Sequence, residues 1–493
     1  MHLEFATTSE LTRALREKTI SSHELLDHLL DRVEHQNPGL NAIVALDVDR
    51  AYVAADAADA ATAKGLSSGP LHGLPMTVKD VWETEGLVTT SGAPELKDYV
   101  PQTDALAVAR LKDAGAIVFG KTNTPIYAGD IQTFNDVYGV TNNPWDTTRT
   151  AGGSSGGAAV AVASGMTPLE LGSDIGGSIR NPAHYNGIYG LKPSWGVVPS
   201  RGHIPGPPGS LVEPDVNCSG PLARSLDDLR TALEVIAGPL PEDASGWRLD
   251  LDAGAVLDDV STLRVATVFD EGGDLLPISH SVRSNLDAFS SRLVGAGVHL
   301  EAVPLPVSLA DGLRAWQELV LPMIGTSLPD DAFDAFIGLE VIPGDDPMLN
   351  SGRALVSRYR SWARANDLRQ KQRQAWSDLF EHYDVVLAPV MPSPAFPHDI
   401  SRPITDRVLD VDGRSVAHLT SMAWCGAIGS VLLPVVTLPT GPTPEGLPVG
   451  IQVVGPFLSD LRLLGIAGAL DDAAGPGFTP PPQTQGPNGG VPT

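Results

Sequence analysis

Apolar residues near the start of the chain recur at intervals of three and four positions, which predicts an amphipathic helix. They would share one face of that helix: Leu25, Leu26, Leu29, Leu30 and Val33. Ser21 and Glu24 have the spacing of a capping box, so the helix is expected to start at Ser21. Another amphipathic helix is predicted before it, and an alanine-rich helix is predicted over residues 48 to 64.

Further along, short apolar runs alternate with helical patterns. The run "LPMTVKDVW" at 74–82 predicts a strand that carries a lysine, and "AIVFG" at 116–120 predicts a second strand. Four later segments are also apolar: "LRVATVFD", "VHLEAV", "DVVLAPV" and "LPVGIQVVG". Helices are predicted between them, near 281–295 and 353–383. This alternation predicts an α/β fold with a mixed or parallel sheet covered by helices.

Composition narrows the class of protein. Of the 493 residues, 42% are hydrophobic and 19% are charged, and no apolar run reaches the 18 or more residues that a membrane span needs. The net charge of −26 repels phosphate backbones and anionic lipids, so neither a nucleic acid nor a membrane is an expected partner. Two cysteines in so long a chain fit a reducing compartment, and the cytoplasm is the expected location.

Domain boundaries are sought in stretches rich in proline and glycine. Those near 203–214 and 238–254 are interpreted as surface loops, because apolar strand patterns resume after each. The segment 472–493 has no periodicity and is expected to be a disordered tail. We therefore predict one catalytic domain over residues 1–471, acting as a monomer or a homodimer.

Two short motifs point to chemistry that their surroundings do not support. "GAIVFGKT", at 115–122, matches a phosphate-binding loop, but its four variable residues are predicted to be the strand itself. The segment 152–156 matches G-x-S-x-G, the nucleophile elbow of α/β-hydrolases, with Ser154 as nucleophile. An elbow needs a buried strand before it, whereas "TNNPWDTTRT" is polar, so an esterase of that class stays an alternative only.

A second serine flanked by glycines lies in "GSDIGGSIRNP", at 172–182. Successive backbone N–H groups of Ile175, Gly176, Gly177 and Ser178 could point at one oxyanion. Lys79 lies among apolar residues, where a lysine usually extends its ammonium group to water. If Lys79 is held away from water, its pKa falls from about 10.4 and its neutral amine becomes a usable base.

Taken together, three segments resemble the amidase signature family: "GLPMTVKD", "GGSSGG" and "GSDIGGSIRNPA". Lys79 and Ser154 are 75 residues apart and Ser154 and Ser178 are 24 apart, which is typical of the family. The resemblance covers most of the chain. It implies a central mixed, twisted β-sheet covered on both faces by helices.

The resemblance also implies roles for individual residues. Ser178 would be the nucleophile, Ser154 a bridging serine after a cis peptide bond, and Lys79 the base, with an acyl-enzyme intermediate and no metal or cofactor. Ser155 is expected to cap the helix that follows. Asp174 and Arg180 flank the loop and are expected to form a structural ion pair, or hydrogen bonds that hold the loop, rather than to take part in the chemistry.

The substrate is expected to be a small neutral, hydrophobic amide, with esters and carbamates as further substrates. The resemblance extends to nylon-oligomer, aryl-acylamide and urethane hydrolases. The candidate wall segments are 127–132, 203–215, 315–324 and 422–426. Most are apolar or aromatic, and none contains an arginine that could bind a carboxylate. Within them, the predicted substrate-binding residues are Gly129, Asp130, Ile131, Pro205, Trp316 and Trp424.

Two alternatives stay open beside the esterase. Glutamine amidotransferase A-type subunits share this core, but they typically have a serine/threonine-rich segment where this chain has "YAGDIQTFND" and a threonine at the position of Ile175. The other alternative is a catalytically silent ligand-binding protein on the same fold.

Overall fold

The computed structural model describes residues 3–204, 206, 208–254, 259–326, 328–343 and 347–482. Within these ranges the chain alternates helices and strands, as the apolar pattern predicts. The helices are α1 (Thr8–Arg16), α2 (Ser22–Leu40), α3 (Val48–Ala63), α4 (Leu106–Asp113), α5 (Gly156–Ala163), α6 (Arg180–Asn186), α7 (Leu226–Ile236), α8 (His280–Gly295), α9 (Leu309–Gly325), α10 (Asp330–Ile337), α11 (Pro347–Leu355), α12 (Tyr359–Phe380), α13 (Ala423–Ser430) and α14 (Asp460–Ala474).

Most strands join one large sheet. The strands are β1 (Ile43–Leu46), β2 (Pro75–Lys79), β3 (Ile117–Thr122), β4 (Phe134–Asn135), β5 (Gly139–Val140), β6 (Leu169–Asp174), β7 (Tyr189–Lys192), β8 (Cys218–Ala223), β9 (Arg264–Thr267), β10 (His299–Ala302), β11 (Val385–Pro389), β12 (Val408–Val411), β13 (Arg414–Ala417), β14 (Val435–Pro442) and β15 (Pro448–Val454). Among the described residues the large sheet has 11 strands in the order β1-β3-β2-β6-β8-β7-β14-β15-β11-β9-β10.

The large sheet is mixed, which confirms the predicted fold class. Its parallel pairs include β2 with β3 and β2 with β6, whereas β6 pairs antiparallel with β8. Strands β2 and β6 are buried along their whole length, as expected of strands at the centre of a helix-covered sheet. Because β2 and β6 are parallel neighbours, their carboxyl ends meet at one edge of the sheet, and the loops that follow them lie together.

The N-terminal helices form as their sequences predict. The hydroxyl of Ser21 accepts from the Glu24 N–H, and the Glu24 side chain accepts from the Ser21 N–H, so the predicted capping box is present. Leu25, Leu26 and Leu29 of α2 are buried in the main hydrophobic core. No helix in the described part of the chain is both long and apolar enough to cross a membrane.

Two predicted boundaries are wrong. The long helix expected near 353–383 is α12, which begins only at Tyr359 because the backbone of Arg358 is extended, and residues 353–355 belong to the preceding helix, α11. The expected tail at 472–493 also begins too early. Helix α14 continues to the buried Ala474, and the ring of Phe478 lies 5.9 Å from the ring of Phe5. Residues 483–493 lie outside the described ranges, and their predicted disorder stays a prediction.

Candidate active site

Lys79 is the last residue of β2, at the edge where the carboxyl ends of β2 and β6 meet. Its side chain is completely buried. The Lys79 Nζ donates to Oγ of Ser154 at 2.6 Å and to Oγ of Ser173, on β6, at 3.1 Å. Burial lowers the pKa of Lys79 to about 7, although the negative charge of Asp174, and that of Glu170 when it is ionised, oppose this shift. A lysine in this state is neutral in a large fraction of molecules near pH 7, as a general base requires.

Ser154 reaches Lys79 from a segment that packs closely against the rest of the protein. The peptide bond between Gly153 and Ser154 is cis. Asn181 binds both backbone groups of Gly153: Oδ1 accepts from its N–H at 3.0 Å and Nδ2 donates to its carbonyl at 2.5 Å. A Cβ at position 153 would lie 2.6 Å from the Asp130 carbonyl oxygen. Glycine therefore allows this backbone to approach the 129–132 loop.

Helix α5 begins directly after Ser154, and here one prediction is wrong. Ser155 occupies the N-cap position, but its side chain does not cap the helix. Its Oγ instead donates to the Ser173 carbonyl at 3.2 Å, which ties the start of α5 to β6. Gly157 approaches a neighbouring backbone even more closely, since a Cβ there would lie 2.4 Å from the Asn123 nitrogen. The repeated glycines of this segment thus serve close packing.

The loop at 175–179 is held by the predicted ion pair. Asp174 and Arg180 are both fully buried, with Arg180 Nη2 2.8 Å from Asp174 Oδ1 and Nε 3.0 Å from Oδ2. Burial alone would raise the pKa of Asp174, but the charge and hydrogen bonds of Arg180 outweigh it and keep this pKa well below its usual range. The same carboxylate accepts from the Gly177 and Ile179 N–H groups, so it sets the path of the loop.

The second serine lies on this loop. Ser178 is 6% exposed, and its carbonyl accepts from the Ser155 N–H at 3.1 Å, which holds the two serine segments together. No hydrogen bond joins the hydroxyls of Ser154 and Ser178 within the described residues. Catalytic hydrogen bonds are often long in free enzymes and tighten only when substrate binds.

The structure corrects the predicted set of oxyanion donors. Gly177 is one of the four expected donors, but its N–H donates to Asp174 Oδ1 at 2.8 Å. A donor already used inside the loop is not available to an oxyanion. The candidates that remain are the N–H groups of Ile175, Gly176 and Ser178.

Helices α9 and α13 pack apolar side chains against the loop at 175–179. The indole nitrogen of Trp316 donates to the Ile175 carbonyl at 2.8 Å. A Cβ at Gly176 would lie 2.7 Å from the Trp316 ring and 2.8 Å from the end of Met422. Trp316, predicted as a wall residue, therefore lies against the loop, and Met422 joins it.

Trp424 does not lie against this loop. Its ring is completely buried in the second hydrophobic core and lines a small internal cavity together with Leu305, Trp376 and Ile428. Position 424 falls on the inner face of α13, while Cys425 faces Gly177, so sequence proximity led to the wrong residue. Pro205 lies outside the described residues.

The 129–132 loop contacts the Gly153 segment through its backbone, and its charged side chain, Asp130, is paired elsewhere. Asp130 forms an ion pair with Arg407 and a hydrogen bond with His418, whose Nε2 is 2.9 Å from Oδ1. Its carboxylate is thus already paired, and its place among the substrate-binding residues stays a prediction. Gly129 is exposed, and Ile131 is buried against Tyr185 and Cys425.

Three buried polar residues near Lys79 were not among the predicted site residues. Ser173 accepts from Lys79, and His203 Nε2 lies 2.8 Å from Ser173 Oγ. Glu170, on β6, is completely buried, and burial raises its pKa to about 8. A charged residue inside the apolar run "PLELG" was the one sequence signal for Glu170. Ser173 and His203 carried none, because their roles depend on distant contacts.

Both short motifs fail in the structure. Ile117–Thr122 is strand β3, so the phosphate-loop match is part of the sheet. Its Lys121 donates to the Trp82 carbonyl and to Thr84 Oγ1. Residues 141–150 form turns and isolated bridges, so Ser154 has no strand before it and the α/β-hydrolase alternative is wrong. Among the described residues, no group of three His, Cys, Asp or Glu side chains could hold a metal ion.

Comparison with known proteins places this geometry in a family. The family model described as "Amidase" matches residues 24–464. The A-type subunit of the glutamyl-tRNA(Gln) amidotransferase of Rhodopirellula baltica is 33% identical, over 93% of this chain and 94% of the relative. The Acidothermus cellulolyticus protein of the same name is 32% identical, over 95% of this chain and 94% of the relative.

Solved structures agree with the family match. A bacterial aryl acylamidase of the amidase signature family has a TM-score of 0.81 and 25% identity, with 96% of each chain covered. A structure described as an amidase has a TM-score of 0.78 and 29% identity, and covers 95% of this chain and 100% of its own. The resemblance drawn from the three sequence segments is confirmed: this chain belongs to the amidase signature family, whose enzymes act on carbon–nitrogen bonds.

Proposed function

We propose that the protein is an amide hydrolase that uses Ser178, Ser154 and Lys79 as nucleophile, bridging serine and base. The observation that carries this proposal is the 2.6 Å contact between Lys79 Nζ and Ser154 Oγ in a fully buried setting. A lysine that is desolvated in this way has its pKa brought near neutrality. It then needs no histidine to activate a serine.

The reaction follows from these positions. Neutral Lys79 takes the proton of Ser154, Ser154 takes that of Ser178, and Ser178 Oγ attacks the substrate carbonyl carbon. Charge on the carbonyl oxygen is stabilised by the N–H groups of Ile175, Gly176 and Ser178. The carbon–nitrogen bond then breaks and the relay returns the proton to the departing amine. Water attacks the acyl-enzyme by the same relay, which releases the acid and restores Ser178.

The preferred substrates are small neutral, hydrophobic amides, with esters and carbamates as further substrates. Trp316 and Met422 border the loop with apolar surface. Two arginines that contact residues of the site segments, Arg180 and Arg407, are paired with Asp174 and Asp130. Neither is free to bind a substrate carboxylate, which favours uncharged acyl groups.

A serine-reactive fluorophosphonate, with mass-spectrometric mapping of the labelled peptide, tests the nucleophile. Label on Ser178 supports the proposal, and label on Ser154 contradicts it. A panel of matched anilides, alkyl amides, aryl carbamates and free glutamine tests the substrate class. A strong preference for glutamine would contradict an apolar pocket. If no serine is labelled and no substrate of the panel is hydrolysed, the silent ligand-binding protein is favoured.

A second candidate is supported by the curated relatives. Those in Rhodopirellula baltica and Acidothermus cellulolyticus are both named as amidotransferase subunits, at 33% and 32% identity. Such a protein would release ammonia from glutamine for a partner enzyme and would be expected to work in a complex. Ile175 packs among apolar side chains and Asp130 is already paired, which favours the hydrolase. Glutaminase activity that appears only with partner subunits would favour this second candidate.

A further inference from the structure

His203 is a buried histidine two hydrogen bonds from Lys79. Its Nε2 lies 2.8 Å from Ser173 Oγ, and Ser173 Oγ lies 3.1 Å from Lys79 Nζ. The His203 side chain belongs to the proline- and glycine-rich segment after residue 202, yet the residue is only 9% exposed. The chain His203–Ser173–Lys79–Ser154 is thus continuous through three hydrogen bonds.

Among the described residues, the ring of His203 has one polar contact, with Ser173. The ring packs edge-on against Trp82 with centroids 4.7 Å apart, and Nδ1 has no hydrogen-bond partner among the described residues. Within those residues, Ser173 is therefore the group that orients the imidazole. Burial, together with the positive charge of Lys79, holds the pKa of His203 well below its usual value, so the ring is neutral near pH 7.

The group to which the Ser173 hydroxyl donates its hydrogen bond determines whether Lys79 can act as a base. A neutral amine has two N–H donors and one lone pair, and that lone pair must face Ser154 for Lys79 to accept its proton. If Ser173 donated its proton to Lys79, it would occupy the lone pair and block the base. If Ser173 donates elsewhere, its Oγ accepts an N–H of Lys79 and the lone pair is left for Ser154.

We propose that His203 is a positioning residue. Its Nε2 accepts a hydrogen bond from the Ser173 hydroxyl and thereby directs the Lys79 lone pair to Ser154. The ring then carries its own proton on Nδ1. His203 touches no reacting atom and acts through Ser173 alone. This inference rests on the proposed function, since it assigns a role within the same lysine-dependent relay.

Two variants test the proposal through kinetics. His203→Leu removes the acceptor but keeps a buried apolar side chain, and kcat is expected to fall about 10- to 100-fold with KM little changed, because the base is misdirected. The Ser173 hydroxyl would then donate to the neutral amine of Lys79. This stabilises the neutral form and lowers the pKa of Lys79, so the acid limb of kcat/KM moves to lower pH. His203→Gln offers an amide oxygen as acceptor and is expected to restore kcat to within about threefold of wild type.

A wild-type kcat and acid limb in His203→Leu would overturn the proposal. So would a His203→Gln variant no more active than His203→Leu, when both melt at the wild-type temperature. If either variant fails to fold, nitrogen NMR of the labelled wild-type protein decides instead. A proton on Nδ1 of His203 is expected, and a proton on Nε2 overturns the proposal.

The NMR result does not depend on turnover. If the wild-type protein hydrolyses no substrate of the panel, the proposed function fails whatever tautomer is found. If it hydrolyses amides while His203 carries its proton on Nε2, only the role of His203 fails. The two failures are therefore distinguishable.

Discussion

Arg180 and Asp174 face each other in the protein interior with both side chains fully buried and two hydrogen bonds between them. Arg180 also donates through Nη1 to the Cys425 carbonyl and to Gln452 Oε1. One side chain thus joins the 175–179 loop to α13 and to strand β15. The shape of the loop depends on this pair as much as on its own glycines.

Replacing Arg180 is expected to destabilise the fold strongly. Arg180→Met leaves the Asp174 carboxylate buried without its partner, which typically costs about 3–5 kcal/mol of unfolding free energy. Urea denaturation measures this loss. Arg283→Ala is the matched control, because Arg283 forms a partly exposed pair with Asp287 and its loss should cost less than about 1 kcal/mol. Similar losses for the two variants would contradict a loop held by the ion pair.

Ser178→Ala is expected to remove hydrolysis and leave the fold intact. The relay acts as a unit, so Ser178→Ala, Ser154→Ala and Lys79→Met should each lower kcat by about 10⁴-fold or more. Turnover of the best amide in the panel measures the loss, and circular dichroism checks the fold. Ser67→Ala, at an exposed position, is the control and should keep wild-type kcat. An active Ser178→Ala enzyme would remove Ser178 from the mechanism.

The activity is expected to rise with pH. Lys79 must be neutral to accept a proton, and burial lowers its pKa to about 7. Below this value, kcat/KM should rise about tenfold per pH unit, and above it the profile should level off. An unperturbed lysine, with a pKa of about 10.4, would place the limb some three units higher. A limb there, or a rate that falls as pH passes 7, would contradict a desolvated Lys79 as base.

Adding one methyl group at Gly157, which is not one of the proposed catalytic residues, is expected to disturb the site that it supports. A Cβ there would meet the Asn123 nitrogen at 2.4 Å and the Ala42 carbonyl at 2.7 Å, both backbone atoms that cannot rotate away. Gly157→Ala should cost about 1–3 kcal/mol in urea denaturation and lower kcat. Gly246→Ala, where no atom lies within 4 Å of the added Cβ, should change neither. Equal behaviour of the two variants would refute the packing argument.

Chelation is expected to leave the activity unchanged. Each step of the proposed relay uses side chains or backbone of this chain, and no metal-ligand spacing is present in its sequence. Turnover before and after dialysis against EDTA measures this. Activity that is lost with EDTA and restored by zinc would require another mechanism.

The parts of the site that could be predicted are those that lie in short, ordered segments. Lys79 and Ser154 could be identified because a strand, a glycine run and their spacing are all visible along the chain. Ser173 and His203 were missed because their contact joins residues 30 positions apart across a loop without periodicity. Trp424 was chosen although its neighbour Cys425 faces the 175–179 loop, because composition does not show which side of α13 points to that loop. The break before α12 depends on the backbone angles of Arg358, which a continuous helical pattern conceals.

The burial of the site has a consequence for how the enzyme responds to salt. The chain carries a net charge of −26, yet the side chains of Lys79, Asp174 and Arg180 have no exposed surface. Dissolved ions screen exposed charges over about 10 Å at 0.1 M but reach buried pairs far less. Raising ionic strength is therefore expected to alter the approach of charged solutes to the acidic exterior and to change the proposed proton transfer between Lys79 and Ser154 very little.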